Sequence, residues 1–318
     1  MFNIAVNQLK SPADISAIGR HQGLLLIGSD EASGERRNEN YLQLFRADGQ
    51  GHYQLARNIL LYKGSRKKGR ELDIEGIASD GESIYVIGSH SLKRKQLNPA
   101  KSHKKNLKRL HGKSIIHEKS RDQLFRLRIN SQGDIESKQR ISLRKLLRRD
   151  PVLQPFSAIP GKENGVDIEG IAVHDGWLYA AFRGPVLRDG LVPILRFRFD
   201  DPKSDYELRF ITLGGLGCRE ITRVSDGFLI LAGPNGKGPG DYRIFHWDGR
   251  DTLPGADRPQ SGQGKIRLLH KLEPPAGGKA EGLALLDESE QDYHLLVAFD
   301  GISHANIHSL VIPKNLST

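Results

Sequence analysis

The chain has 318 residues, 37% of them hydrophobic and 27% charged, with a formal net charge of +10, which is a soluble globular composition and excludes a chain that is disordered throughout. No apolar run approaches the roughly 18 residues of a bilayer span, and the start MFNIAVNQLK lacks the basic-then-apolar plan of a secretory signal, so a cytoplasmic protein without membrane association is expected. The single cysteine, Cys218, excludes an internal disulfide and a zinc site of paired thiolates.

In chain order, a strand-like FNIAVNQL from Phe2 precedes five similar units. Each has an acidic start, a small-apolar step, a turn marked by glycine or Asp-Gly, and an apolar strand. They read ADISAIGRHQGLLLIGSDE from Ala13, DIEGIASDGESIYVIGSHS from Asp73, DIEGIAVHDGWLYAAFRGP from Asp167, CREITRVSDGFLILAGPN from Cys218 and AEGLALLDESEQDYHLLVAFDG from Ala280. Third strands follow from Tyr41, Gln123, Ile194, Tyr242 and Ile307, and fourth strands from Gln54, Gln139, Tyr206 and Lys265. The alternation has period two, and helical stripes are scarce. Aligned on Ser16, Glu75, Glu169, Glu220 and Glu281, the units recur at 59, 94, 51 and 61 residues, which fits four-stranded blades with insertions. The fifth unit lacks a fourth strand, and FNIAVNQL is expected to supply it and close the ring. The reading is an all-β single domain over residues 1–318, a five-bladed β-propeller. Six blades are the alternative, if the long second interval hides a degenerate unit.

Residues 91–121 form a basic loop insertion in blade two. They hold eleven Lys or Arg and one acid, Glu118, so the rest of the chain is balanced at 37 basic and 37 acidic residues. The segment has no Phe, Tyr or Trp, which removes the stacking that single-strand nucleic-acid binders use. An anionic small molecule or acidic partner therefore ranks above nucleic acid, with Lys93 and Arg94 as candidate contacts.

Antiparallel blades bring the starts of innermost strands and the ends of second strands to one face. The first series is Glu75, Glu169, Glu220 and Glu281, with Ser16 in the fifth place and Asp14, Asp73 and Asp167 two residues earlier. Carboxylates about 4 Å apart repel by roughly 4 kcal/mol at an effective dielectric near 20, so cations belong among them. Asp73, Glu75, Asp167, Glu169, Glu220 and Glu281 are the candidate metal ligands. Ca2+ is the first choice for an all-oxygen site and Mg2+ the second, with no organic cofactor. The alternative is that these carboxylates bond backbone N–H groups of the next blade or pair with Arg183, Arg219 or Lys279. The second series is Asp30, His90, Arg183, Asn235 and Asp300. There His90 is a candidate proton-transfer group, Asp30 a base or ligand and Arg183 an anion clamp, with Asn235 and Asp300 as ligand contacts. No G-x-S-x-G, H-E-x-x-H or G-x-G-x-x-G motif is present, and PNGKGPG from Pro234 lacks the helix of a phosphate cradle. Two functions remain open: binding of an anionic ligand at one face, with Ca2+ or Mg2+ at the central channel, or metal-dependent hydrolysis of a phosphate or carboxylate ester.

The strings DIEGIA, GSHSLKRK from Gly88, LFRLRI from Leu124, FRGPVLRDG from Phe182, LILAGPN from Leu229 and AEGLA from Ala280 resemble the bacterial family known as domain of unknown function 3616. The resemblance runs from about Asp14 to the last strand and implies a single propeller-like domain. More distantly, the Asp-x-Glu-Gly repeat is similar to that of phytase-like and SdiA-regulated propellers, where acidic residues at blade starts hold Ca2+. Ser16, Cys218 and Lys279 depart from that pattern, which implies a lopsided metal site biased towards blades two and three.

Overall fold

The computed structural model describes residues 3–4, 8–48, 52–65, 69–236, 240–275, 277–302 and 307–314. After a two-residue strand β1 (Asn3–Ile4), blade one comprises β2 (Ile15–His21), β3 (Leu24–Ser29), β4 (Glu39–Ala47) and β5 (His52–Lys63). In blade two, β6 (Ile74–Ser79) and β7 (Ile84–Gly88) lead into the insertion. This contains β8 (Lys93–Arg94), helix α1 (His103–Leu110) and β9 (Ile115–Ile116), and is followed by β10 (Leu124–Ile129) and β11 (Ile135–Ile141). A one-turn helix α2 (Arg144–Leu147) leads to blade three, which holds β12 (Asp167–His174), β13 (Trp177–Gly184), β14 (Leu191–Phe197) and β15 (Glu207–Thr212). Blade four holds β16 (Gly217–Val224), β17 (Gly227–Gly233), β18 (Tyr242–Trp247) and β19 (Ile266–Leu272), and blade five β20 (Lys279–Glu288), β21 (Asp292–Asp300) and β22 (Ile307–Pro313).

Each blade is an antiparallel sheet, and the innermost strands touch in the order β2, β6, β12, β16, β20 and back to β2. The protein is thus a five-bladed β-propeller. Its core divides into five apolar clusters, one between each pair of neighbouring blades. Ile74, Val86 and Phe125 of blade two meet Leu26 and Leu44 of blade one, for example, and Cys218, Phe228 and Trp247 of blade four meet Tyr179 and Ile194 of blade three. Alternation along each strand sends one face to the blade before and the other to the blade after, so both faces are apolar.

Ring closure differs from the sequence expectation. Asn3 and Ile4 pair in parallel with His52 and Tyr53 at the outer edge of blade one, and among the described residues blade five has three strands. Phe2 and residues 5–7 of the expected closing strand lie outside the described residues. The ends join instead through side chains, with Ile15, Ile18 and Phe45 packed on Leu296, Ala298 and Ile307, and through Gly301 N–H donating to Ala13 O at 2.9 Å.

Two further elements differ from expectation. The fourth strand of blade two starts at Ile135, and RKLL turns helical so that Leu146 and Leu147 fill the seam between blades two and three. The basic insertion is also more than a loop. Lys93 and Arg94 pair with Ile116 and Ile115, and Ser102 caps α1 by accepting the Lys105 N–H. No helix among the described residues is long and apolar enough to cross a membrane.

Candidate functional site

Every innermost strand carries a register shift near its start, between Ile15 and Ala17, Ile74 and Gly76, Ile168 and Gly170, Cys218 and Glu220, and Ala280 and Gly282. The residue bulged out of each ladder is Ser16, Glu75, Glu169, Arg219 or Glu281. All five line one cavity of about 700 Å3 at the end of the propeller axis. The glycine after each glutamate serves close approach. A Cβ on Gly76 would lie 2.8 Å from Ile171 N, and one on Gly170 would lie 2.8 Å from Ile221 N.

This register corrects the place of Glu220. It stands where Gly76 and Gly170 stand, and the ring position in blade four belongs to Arg219. Glu220 does not line the cavity. It accepts the N–H groups of Ile221 at 2.9 Å and Ile171 at 3.3 Å, and burial raises its pKa well above the ordinary carboxylate range. It is a structural acceptor between blades three and four.

Arginines satisfy most of the remaining ring. Arg183 forms ion pairs with both Asp167 and Glu169, and Arg219 with Glu169 at 2.7 Å and with Glu281. Burial opposes the charge of Arg183, but Asp167 and Glu169 outweigh it and hold its pKa above the ordinary value. Burial pushes Asp167 up to about 6, with Arg183 pulling the other way. Asp73 adopts a left-handed backbone (φ 57°) and pairs with Arg121 at 2.5 Å, while Arg121 also reaches Glu71 at 2.9 Å. Asp300 pairs with Lys279 at 2.6 Å. In blade one Ser16 donates to Ile74 O, which binds the first blade to the second and leaves the bulge position itself without a charged side chain.

Four carboxylates of the cavity, Asp14, Asp30, Glu31 and Glu75, have no side-chain partner among the described residues, and Glu75 and Asp30 carry the larger pKa rises. Glu75 makes no hydrogen bond or ion pair among the described residues. Burial raises its pKa well above the ordinary range, helped by Glu169, Asp73 and Asp30. Asp30 responds in the same way, to burial first and then to Asp73, Asp300 and Glu281, and its Oδ1 is buried without a partner. Seven carboxylates line the cavity against four cations, Lys162, Arg183, Arg219 and Lys279. The site is acidic: Arg183, Arg219 and Lys279 are spent on internal pairs, Lys162 makes none among the described residues, and Asp14, Asp30, Glu31 and Glu75 are left without a paired cation.

Of the second-strand series, Asp30, Arg183 and Asp300 face the cavity; His90 and Asn235 do not line it. His90 is fully buried. Its Nδ1 donates to Gly88 O at 2.9 Å and its Nε2 accepts Leu143 N–H at 3.1 Å, so both ring nitrogens are committed. Burial lowers its pKa and keeps it neutral. The expected proton-transfer group is therefore a tie between strand ends. Asn235 donates to Asn164 Oδ1 at 2.5 Å.

A second hollow of about 600 Å3 opens between the insertion and the ring, sharing Asp30, Glu75, Lys162 and Arg183 with the first. Lys93 lines it but is paired with Glu71 at 3.1 Å and Glu118 at 2.7 Å. Arg94 clamps Glu163 at 2.6 and 3.0 Å and caps Leu110 O and His111 O, which pins the insertion to the loop before blade three. Lys162, Glu31, Glu71 and Arg121 escaped the sequence reading because none of them recurs between units. Cys218 is buried, its thiol donates to Glu220 O at 3.3 Å, and burial raises its pKa well above the usual value, which makes it an unreactive core residue.

Among solved structures, the chain is similar to one of S. cerevisiae Dbp5 bound to Nup159, Gle1, IP6 and ADP (TM-score 0.32, 9% identity, covering 94% of this chain and 76% of that one). It is also similar to an exo-β-1,3-galactanase from Phanerochaete chrysosporium with β-1,3-galactotriose (TM-score 0.45, 6% identity, covering 99% of this chain and 63% of that one). No curated protein matches the chain. The family profile described as "Protein of unknown function (DUF3616)" spans residues 14–309, and the chain belongs to that family.

Proposed function

We propose that the axial cavity is a divalent-cation-dependent binding site for a polar, anionic ligand. One observation carries the reading: of the four cavity carboxylates without a positive partner, Asp14, Asp30, Glu31 and Glu75, burial raises Glu75 and Asp30 furthest, and the orphaned Asp30 Oδ1 is buried. Two acids that repel each other in a low-dielectric wall need a proton or a cation between them. Among the described residues no group of three or more Asp, Glu, His or Cys side chains is gathered as a ready ligand set. The donor set is then two carboxylates completed by water or ligand oxygens. That suits Mg2+, which keeps its waters, better than Ca2+ with its six to eight ligands, and reverses the order expected from sequence.

An excess of carboxylates repels a bare anion, so an anionic group enters only where a cation screens Glu75 and Asp30. Lys162, on the wall of both hollows, then adds a second positive contact. A cytoplasmic setting fits the single reduced thiol.

The test is a thermal-shift titration of EDTA-treated protein with Mg2+ and with Ca2+. A cation at a hundred times its Kd adds about 2.7 kcal/mol, so Tm should rise by several degrees in the wild type and stay flat in Glu75→Gln and Asp30→Asn. Equal responses in all three proteins would remove the reading.

A second reading, metal-dependent hydrolysis of a phosphate or carboxylate ester, draws on the raised pKa of the same two groups. With one of the two carboxylates holding the cation, the other keeps a proton at a pH where ordinary carboxylates have lost it, and can donate it to a leaving oxygen. Turnover in a panel of such esters, abolished in Asp30→Asn, would favour hydrolysis over binding alone.

A further inference from the structure

The cations of the insertion are divided by type. Its arginines are used internally: Arg94 on Glu163, Arg121 on Asp73 and Glu71, and Arg109 on Gln96 O. Lys93 is likewise held by Glu71 and Glu118. The seven remaining lysines, among them Lys101, Lys104, Lys105 and Lys108 on and beside α1, are exposed and make no ion pair or side-chain hydrogen bond among the described residues. Three leucines stand exposed beside them: Leu97 at 54%, Leu107 at 48% and Leu110 at 54%. Leu107 and Leu110 are three apart on α1 and share a face, while Leu97 and Leu110 both line the hollow that leads to the axial cavity.

We propose that this insertion docks the propeller onto an anionic phospholipid surface, with the leucines entering the headgroup layer and the lysines drawn to the lipid phosphates and carboxylates. Three features select this partner. Free lysines are scarce at protein–protein interfaces, where arginine is preferred, but they serve diffuse attraction to a charged bilayer face. Nucleic acid would reward the charge but leave the leucines in water, and the insertion has no aromatic ring to stack on bases. Half-exposed leucines flanked by lysines on a short helix are the pattern of interfacial binding. Because Leu97 and Leu110 belong to the hollow as well, docking turns its mouth towards the headgroups. The sequence expectation of no membrane association is thereby set aside.

The test is co-sedimentation of the full chain with phosphatidylcholine vesicles containing about a third phosphatidylserine, beside vesicles of phosphatidylcholine alone and a single- and double-stranded RNA of similar total charge. Binding to the anionic vesicles only, weakening as salt is raised, is the expected result. Each lysine near the surface multiplies the partition roughly fivefold, so Lys104→Glu with Lys108→Glu should lower it at least about twentyfold. Leu97→Ser, Leu107→Ser and Leu110→Ser together should lower it about tenfold with Tm little changed, since these side chains are half exposed and none belongs to an inter-blade cluster. No sedimentation with anionic vesicles, binding untouched by the leucine changes, or tighter binding to either RNA would each overturn the proposal.

Discussion

Glu75 and Glu169 occupy equivalent bulges in neighbouring blades, yet their chemistry diverges because of what reaches them from outside the repeat. Glu169 receives two arginines, whereas Glu75 faces Asp30, Asp73 and Glu169 with no cation in contact. The raised folded-state pKa fixes a sign. The stability that Glu75 and Asp30 contribute is fully present below their ordinary values, near 4.5 and 3.8, and is lost as pH rises through the raised ones. In cation-free buffer, Glu75→Gln should therefore be more stable than wild type at pH 8 and show a flatter stability profile from pH 5 to 8. Urea midpoints across that range measure it, and parallel profiles would show that Glu75 carries no such penalty. At this scale the sequence displayed the carboxylates but not their partners. Arg183 and Arg219 were legible as alternatives to a metal, whereas Arg121 lay hidden in a lysine-rich run, since its role depends on a contact 48 residues away.

The unit that repeats is a strand start with a bulge, and glycine is its second requirement. In DIEGIA the glutamate leaves the ladder for the cavity, and the glycine lets the next blade's backbone come close. A Cβ at Gly76 would press on the backbone of Gly170 and Ile171, which cannot move aside as a side chain would. Gly76→Ala should cost about 1–3 kcal/mol in urea denaturation, whereas Gly112→Ala, with nothing within 4 Å, should fall within about 0.5 kcal/mol of wild type. Comparable losses at both positions would mean that the close approach does not matter. The same bulge explains the displacement of Glu220. Counting two residues on from the strand start assumes a regular ladder, and CREI keeps a glutamate where DIEGI has its glycine, one residue out of step. Likewise QRISLRKLL reads as an alternating strand, but the demand for apolar volume in the seam turned its RKLL into a helical turn.

For the whole molecule, the five inter-blade clusters form an unbroken circle, and the seam between blades five and one is as apolar as the others. The two-residue β1 lies outside that circle, on blade one. Removing residues 1–7 should therefore leave a cooperative unfolding transition and cost no more than about 1 kcal/mol, because Gln8 and Leu9 still anchor the chain through Gln43 and the seam. A broad or strongly lowered transition on truncation would show that the segment closes the ring after all.

Periodicity, turns and the recurring acidic starts were enough to determine five blades around an axis and a rim rich in carboxylates, because each depends on neighbours within one unit. Which carboxylates keep a free charge, which histidine is walled in and how the ends meet were decided only by the tertiary structure. Those outcomes depend on side chains 16 to 62 residues apart meeting in a low-dielectric wall, where pairing and desolvation, rather than local pattern, set the charge.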